Sequence, residues 1–153
     1  MDNLSHKENL YRFCEDFVQE RISRIEFQIN EIQEALGSET KSSAGDKHET
    51  GRAMLQLERE KLGQQLSEAE NMRRVLEKVD ISTSRATASL GSLVKTTMAN
   101  YFLSISAGEC KLGTKEKNFC ISLNTPIGIM LLGKSVGQTI HFGENDIKIL
   151  EIV

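Results

Sequence analysis

Residues 42–51 read Ser-Ser-Ala-Gly-Asp-Lys-His-Glu-Thr-Gly, and within this polar stretch Asp46 and Glu49 are the paired acids on which chemistry would most readily be built. His48 lies between them and is able to hydrogen-bond a phosphate or a water, while Lys47 and Arg52 are cations close enough in sequence to pair with the acids. The same D-x-x-E spacing ahead of an apolar run is also a capping box, in which Asp46 accepts from a first-turn amide and Glu49 bonds back. The two roles are compatible, because one Asp oxygen can cap while the other faces solvent.

The flanking segments would place this stretch at the tip of a hairpin. From about residue 10 to 36, the apolar positions Val18, Ile22, Ile25, Ile29, Ile32 and Leu36 advance in steps of 4, 3, 4, 3 and 4. That is a heptad seam, and Gly37 follows it as a candidate left-handed cap. A second helix is expected over about 49–79, with Leu55, Leu62, Ala69 and Leu76 repeating every seven and Leu66, Met72 and Val79 between them. Two apolar seams joined by a short polar loop close most simply into an antiparallel coiled-coil hairpin spanning residues 1–80. Residues 81–90 are small, polar and without a heptad, and read as a linker.

Beyond residue 90 the period changes. Short β-rich runs at 93–97, 101–105, 119–123, 138–142 and 147–152 alternate with Gly and Asn turns. One short helix is punctuated by Thr125 as N-cap, Pro126 at its first position and Gly133 as its stop. The expected architecture is α+β, the hairpin being followed over 91–153 by a small antiparallel sheet with one helix packed on it. Phe102, Phe119 and Phe142 are expected in the core of that sheet, and Tyr11, Phe13 and Phe17 near the base of the hairpin.

Composition narrows the function classes. The net charge is -3. Residues 1–80 carry 12 Lys and Arg against 17 Asp and Glu, and residues 81–153 carry 7 against 5. Neither half has the concentrated positive field of an autonomous nucleic-acid binder. Cys14, Cys110 and Cys120 are widely spaced with no C-x-x-C, so free thiols are expected in place of a disulfide framework or zinc site. No signal segment is visible, no apolar run is long enough for a bilayer, and a cytoplasmic protein without membrane partners is expected.

The tip residues 45–49, the order of hairpin then β domain, and the stretch 125–137 (TPIGIMLLGKSVG) together resemble the bacterial Gre-type transcript cleavage factors. That family carries G-D-x-x-E at its tip and S-P-[IL]-G-x-x-L-[IL]-G-[KR]-x-x-G in an FKBP-like C-terminal domain, with Thr125 standing here for Ser. The resemblance implies a factor that is not itself an enzyme and binds bacterial RNA polymerase. Its β domain would dock near the rim of the secondary channel through Pro126, Gly128, Leu132, Gly133 and Lys134, and its hairpin would thread the channel. Asp46 and Glu49 would then help hold a second Mg²⁺ in the polymerase active centre, so that the polymerase cuts its own backtracked transcript. Lys47, His48 and Arg52 are candidates for contact with the nascent RNA 3′ end. A monomer is expected, although an exposed hairpin seam can also pair between chains.

The chain departs from the family after the glutamate. Where the family has Asn, any residue, an acid and Tyr, this sequence has Thr50, Gly51, Arg52 and Ala53. A cation at the third acid's place lowers the negative potential of the tip. This favours an alternative of the regulator class, a secondary-channel binder that modulates initiation or pausing without cleavage. Prolyl isomerisation, which the FKBP-like half brings to mind, requires an aromatic-lined pocket, and the aromatic residues here are assigned to the core.

Overall fold

A computed structural model describes residues 2–41 and 46–153, although not the side chains of 39–41 and 46–48. The elements in chain order are α1 (Asn3–Lys41), α2 (Asp46–Glu77), β1 (Leu93–Thr96), β2 (Asn100–Ser104), β3 (Gly108–Glu109), β4 (Asn118–Ser122), α3 (Pro126–Leu131), β5 (Thr139–Phe142) and β6 (Asn145–Ile152). They form two compact units, Val18–Arg73 and the combination of Met1–Phe17 with Arg74–Val153.

The first of these units is the antiparallel hairpin. Val18, Ile22, Ile25 and Ile29 of α1 and Leu62 and Ala69 of α2 are buried, whereas Ile32, Leu36, Leu55 and Leu66 are half-buried. Side-chain bonds across the seam fix the direction of pairing. Arg73 donates to Gln19 Oε1 at 2.8 Å, Arg21 donates to Met72 Sδ at 3.1 Å, and Arg21 lies 3.6 Å from Glu68. The expected stop at Gly37 is a correction, since α1 continues through it to Lys41. Gly37 does not adopt a positive φ, and a glycine costs a helix only about 1 kcal/mol.

In the second unit the sheet has the order β3-β4-β2-β1-β6-β5. It is mixed and not wholly antiparallel as expected, because β2 and β4 run parallel in the register Asn100↔Asn118 to Ser104↔Ser122. The reason is β3, a two-residue strand with no alternation to announce it. The chain passes from β2 beyond β4 to make β3, then turns back into the gap and so arrives in β2's direction. At the other edge Phe142↔Asn145 closes the β5–β6 hairpin through Gly143-Glu144. Only Gly143 has positive φ there, the pattern of a II′ turn.

Both faces of the sheet are covered. On one face Val94, Tyr101, Leu103, Ile147 and Ile149 pack with Ile127 and Leu131 of α3. The other face receives the first turns of α1. Asn3 bonds Glu151 at 3.0 Å and Lys95 at 2.9 Å, His6 Nε2 bonds Asn118 Oδ1 at 2.8 Å, and Cys14 Sγ lies 3.5 Å from Ser104 Oγ. Positions 3, 6, 10 and 14 form one helical stripe, on which Leu10 is fully buried. Asn118 Oδ1 also accepts from Asn100 at 3.1 Å, and a carbonyl oxygen only accepts, so His6 Nε2 is the donor in its bond.

Phe102 is fully buried and Phe119 packs beside the core, stacked on Tyr101 with centroids 6.0 Å apart. Phe142 departs from expectation, being 36% exposed on the edge strand β5. The segment expected as a linker is exposed from Ser82 to Thr87, but Ala88 is buried and anchored, donating to Lys134 O and accepting from Gly133 N, both at 2.8 Å.

Lys7 is only 2% exposed, with Nζ donating to Thr83 O at 3.2 Å and Val153 O at 3.1 Å. Burial holds its pKa below the usual 10.5, against the attraction of Asp80, which raises it. In the window below 10.5 the unfolded chain therefore binds the proton more fully than the folded one, and stability rises with pH there. The unfolding free energy of wild type minus that of Lys7→Met should rise from pH 8 toward 10.5 in urea titrations, and a fall over that range would refute this assignment.

Gly128 is required by contact. A Cβ built there would lie 2.2 Å from Ser122 O and 2.9 Å from Thr125 Oγ1. Gly128→Ala is expected to destabilise the protein by about 2–3 kcal/mol through overpacking against backbone, read as a lowered urea midpoint. An unchanged midpoint would show that α3 shifts freely on the sheet.

Candidate functional site

The candidate acids sit where the hairpin turns. Helix α2 begins at Asp46, so 46 and 49 both belong to its first turn, where the unpaired amide dipoles favour negative charge. Glu49 and Thr50 are exposed, and Gly51 and Arg52 are half-buried. The side chains of Asp46, Lys47 and His48 lie outside the described residues, as do positions 42–45. The capping reading of Asp46 falls there too.

Arg52 has a defined place. Its Nη1 donates to Leu36 O at 3.2 Å, tying α2 to the end of the α1 seam. The cation that sequence reading offered as an RNA contact thus holds the two helices together close to the acids. This role was not legible in the sequence, because a backbone carbonyl of α1 leaves no mark there.

Carboxylate oxygens are the donor class that Mg²⁺ takes, but two of them leave most of its octahedral shell to water or to other ligands. Among the described residues, no group of three or more His, Cys, Asp or Glu is placed to hold a metal ion.

The second candidate region is α3 with the turn after it. Thr125 is the N-cap, its hydroxyl oxygen accepting from Gly128 N at 3.1 Å, and Pro126 occupies the first helical turn. Gly133 has φ 80° and closes the helix, and Lys134 is half-buried with its carbonyl bonded to Ala88 N. Of the proposed docking residues, Pro126 and Leu132 are exposed and Gly128 is buried. Sequence reasoning passed over Ile129 and Val136, which expose 62% and 56% of their surface beside Leu132 at 47%. No signal in the sequence set them apart, because Ile129 and Val136 are of the same apolar types as the residues that fill the core.

Elsewhere on this unit, an open recess of about 500 Å³ is lined by Tyr101, Phe119, Ile121, Ile127, Met98 and Phe142, among others. The aromatics assigned wholly to the core thus also wall a concavity. Among the described residues no helix is long and apolar enough to cross a membrane.

Fold and site together define a two-unit α+β protein whose helical hairpin carries paired acids at its turn. No protein-family model matches the chain, and no curated protein matches it. Among solved structures it is similar to the transcription factor Gfh1, at 18% identity and a TM-score of 0.34, over 88% of this chain and 90% of that one. A likeness this faint carries no weight for function.

The contribution of the Arg52 side chain is testable by substitution. Arg52→Met keeps an apolar stem of similar reach but removes the donor, and should lower stability by about 1 kcal/mol, seen in helical circular dichroism during urea unfolding. No change in midpoint would show that the bond contributes nothing.

Proposed function

We propose that the protein is an accessory factor of bacterial RNA polymerase that inserts its hairpin through the secondary channel and stimulates cleavage of backtracked transcripts. The observation that carries this reading is the position of 46 and 49 in the first turn after the hairpin loop, on an antiparallel pair of helices. Such a hairpin is narrow and long. From Val18 to Lys41 alone, α1 extends roughly 35 Å at ~1.5 Å per residue.

In this reading Asp46 and Glu49 supply negative oxygens to a second Mg²⁺ shared with the polymerase. When bound there, that ion would stabilise the attacking and leaving oxygens of phosphodiester hydrolysis. Lys47 and His48 lie beside the RNA 3′ end, and Arg52, tied to Leu36 O, steadies the turn more than it touches RNA. The factor has no hydrolytic activity of its own, and works as a cytoplasmic monomer. Docking falls to the exposed Ile129, Leu132 and Val136 with Pro126 and Lys134 beside them, while Gly128 and Gly133 shape the element that carries these residues.

Arg52 supports a second reading. A cation fixed one turn from Glu49 weakens the local negative potential, which suits a channel-binding regulator that alters initiation or pausing without cleavage. A backtracked elongation complex with labelled RNA separates the two. Cleavage by wild type is expected, with Asp46→Asn and Glu49→Gln each losing roughly 10–100-fold in rate while helicity and melting stay unchanged. Asn caps a helix about as well as Asp, so loss of cleavage with retained stability isolates the charge. Altered pausing with no shortened RNA would establish the second reading, and failure of the polymerase to retain the protein would overturn both.

A further inference from the structure

Eight residues line the open recess of about 500 Å³ in the sheet unit, and Lys117 is the only charged one among them. Alternation along the chain into β4 puts Lys117, Phe119 and Ile121 on one face. Tyr101 stands beside Phe119 in the parallel register of β2 and β4, the two rings stacked with centroids 6.0 Å apart. Ile127 from the first turn of α3 and Phe142 from the end of edge strand β5 complete the walls. Of the six Phe and two Tyr in the chain, three therefore line one concavity, and its size is that of a small-molecule site.

Two polar groups of this lining have no protein partner. Tyr101 is only 7% exposed, yet its hydroxyl makes no hydrogen bond among the described residues. No buried side-chain nitrogen or oxygen among those residues is left unbonded, so solvent reaches this hydroxyl, and in a residue otherwise enclosed the access is through the recess it lines. Burial raises its pKa above the ordinary 10.0, so at neutral pH it keeps its proton and offers a donor. The Lys117 ammonium likewise has no carboxylate partner among the described residues, the neighbouring Glu116 being bonded to Asn100 Nδ2 at 3.0 Å. The Lys117 backbone is fixed, since its carbonyl accepts from Asn100 N at 2.8 Å.

We propose that this recess binds a small aromatic carboxylate, its ring against Tyr101, Phe119 and Phe142 and its carboxylate taking the Tyr101 hydroxyl and the Lys117 ammonium. A hydroxyl donor and a cation beside apolar walls are complementary to an anion carried on an apolar body. A ligand without an acceptor would leave the hydroxyl unbonded on a desolvated surface, which is costly. A neutral amide would satisfy the hydroxyl but leave the cation unmatched, and free phosphate would forgo the aromatic walls. The enclosed hydroxyl contributes more to affinity than the exposed ammonium, whose attraction is screened by water and salt. The site is independent of the hairpin acids.

Naphthoate is titrated into the full-length protein, with naphthamide as its uncharged counterpart, and binding is followed by ligand fluorescence and backbone amide NMR shifts. Saturable binding of naphthoate with a dissociation constant below about 1 mM is expected, with shifts centred on Tyr101, Phe119 and Phe142. Naphthamide should bind at least about fivefold more weakly. Tyr101→Phe should weaken naphthoate by at least about tenfold with an unchanged urea midpoint, because the hydroxyl has no protein partner to lose. Lys117→Gln should weaken it about two- to fivefold, a difference that vanishes at high salt. Absence of saturable binding, equal affinity for naphthamide and naphthoate, shifts centred on Ile129 and Val136, or undiminished affinity in Tyr101→Phe would each overturn the proposal. So would shifts that follow protein concentration in place of ligand, the mark of a second copy as the occupant.

Discussion

Strand β2 is buried along its whole length, and a strand with no exposed face must be covered from both sides. The covering from α3 is local in sequence, a short helix set on the sheet directly after β4. The covering from α1 comes from the opposite end of the chain, and it is largely polar. Asn3, His6 and Lys7 meet partners lying between 76 and 148 residues away. Polar groups in such a place are costly unless paired, and none of the buried side-chain nitrogen or oxygen atoms among the described residues lacks a partner. The helix that begins in this contact also supplies the buried seam of the hairpin. One element therefore satisfies two different surfaces with two different stripes.

That division explains what could be read in advance. The seam from Val18 onward is periodic and apolar, so its spacing alone indicates a paired helix. Before Val18 the same helix buries His6 and Lys7, whose types ordinarily mark a solvated surface, and their carbonyl and amide partners are invisible at short range. The α3 punctuation was legible because Thr125, Pro126 and Gly133 each act within one turn of themselves. Strand β3 was not, because two residues have no period, and with it went the parallel pairing of β2 and β4. Gly37 was misread for a related reason. Its backbone freedom permits a stop without enforcing one, and the helix runs on to Lys41 although the apolar seam ends at Leu36.

The paired acids occupy an intermediate position. Their place at the turn of the hairpin follows from two seams and a polar loop, all of which are local patterns. Their electrostatic setting depends on Arg52, and sequence shows that a cation is present without showing where it is held. A guanidinium bonded to Leu36 O is fixed close to the acids and cannot swing away as a free surface side chain would.

A motif as distinctive as that of residues 125–137 invites a functional explanation for every position, but the structure accounts for most of it by folding alone. Thr125 caps, Pro126 starts the helix, Gly128 lets it approach Ser122, Gly133 and Gly137 take positive φ, and Ile127 and Leu131 fill the core. None of these needs a partner to explain it. What folding leaves unexplained is Ile129, Leu132 and Val136, large apolar side chains held toward water. Leaving each about half exposed forgoes roughly 1 kcal/mol of burial that a partner surface would recover. The fold-determined positions make the motif recognisable, and these three, which stability does not require, are where a docking surface has to be sought.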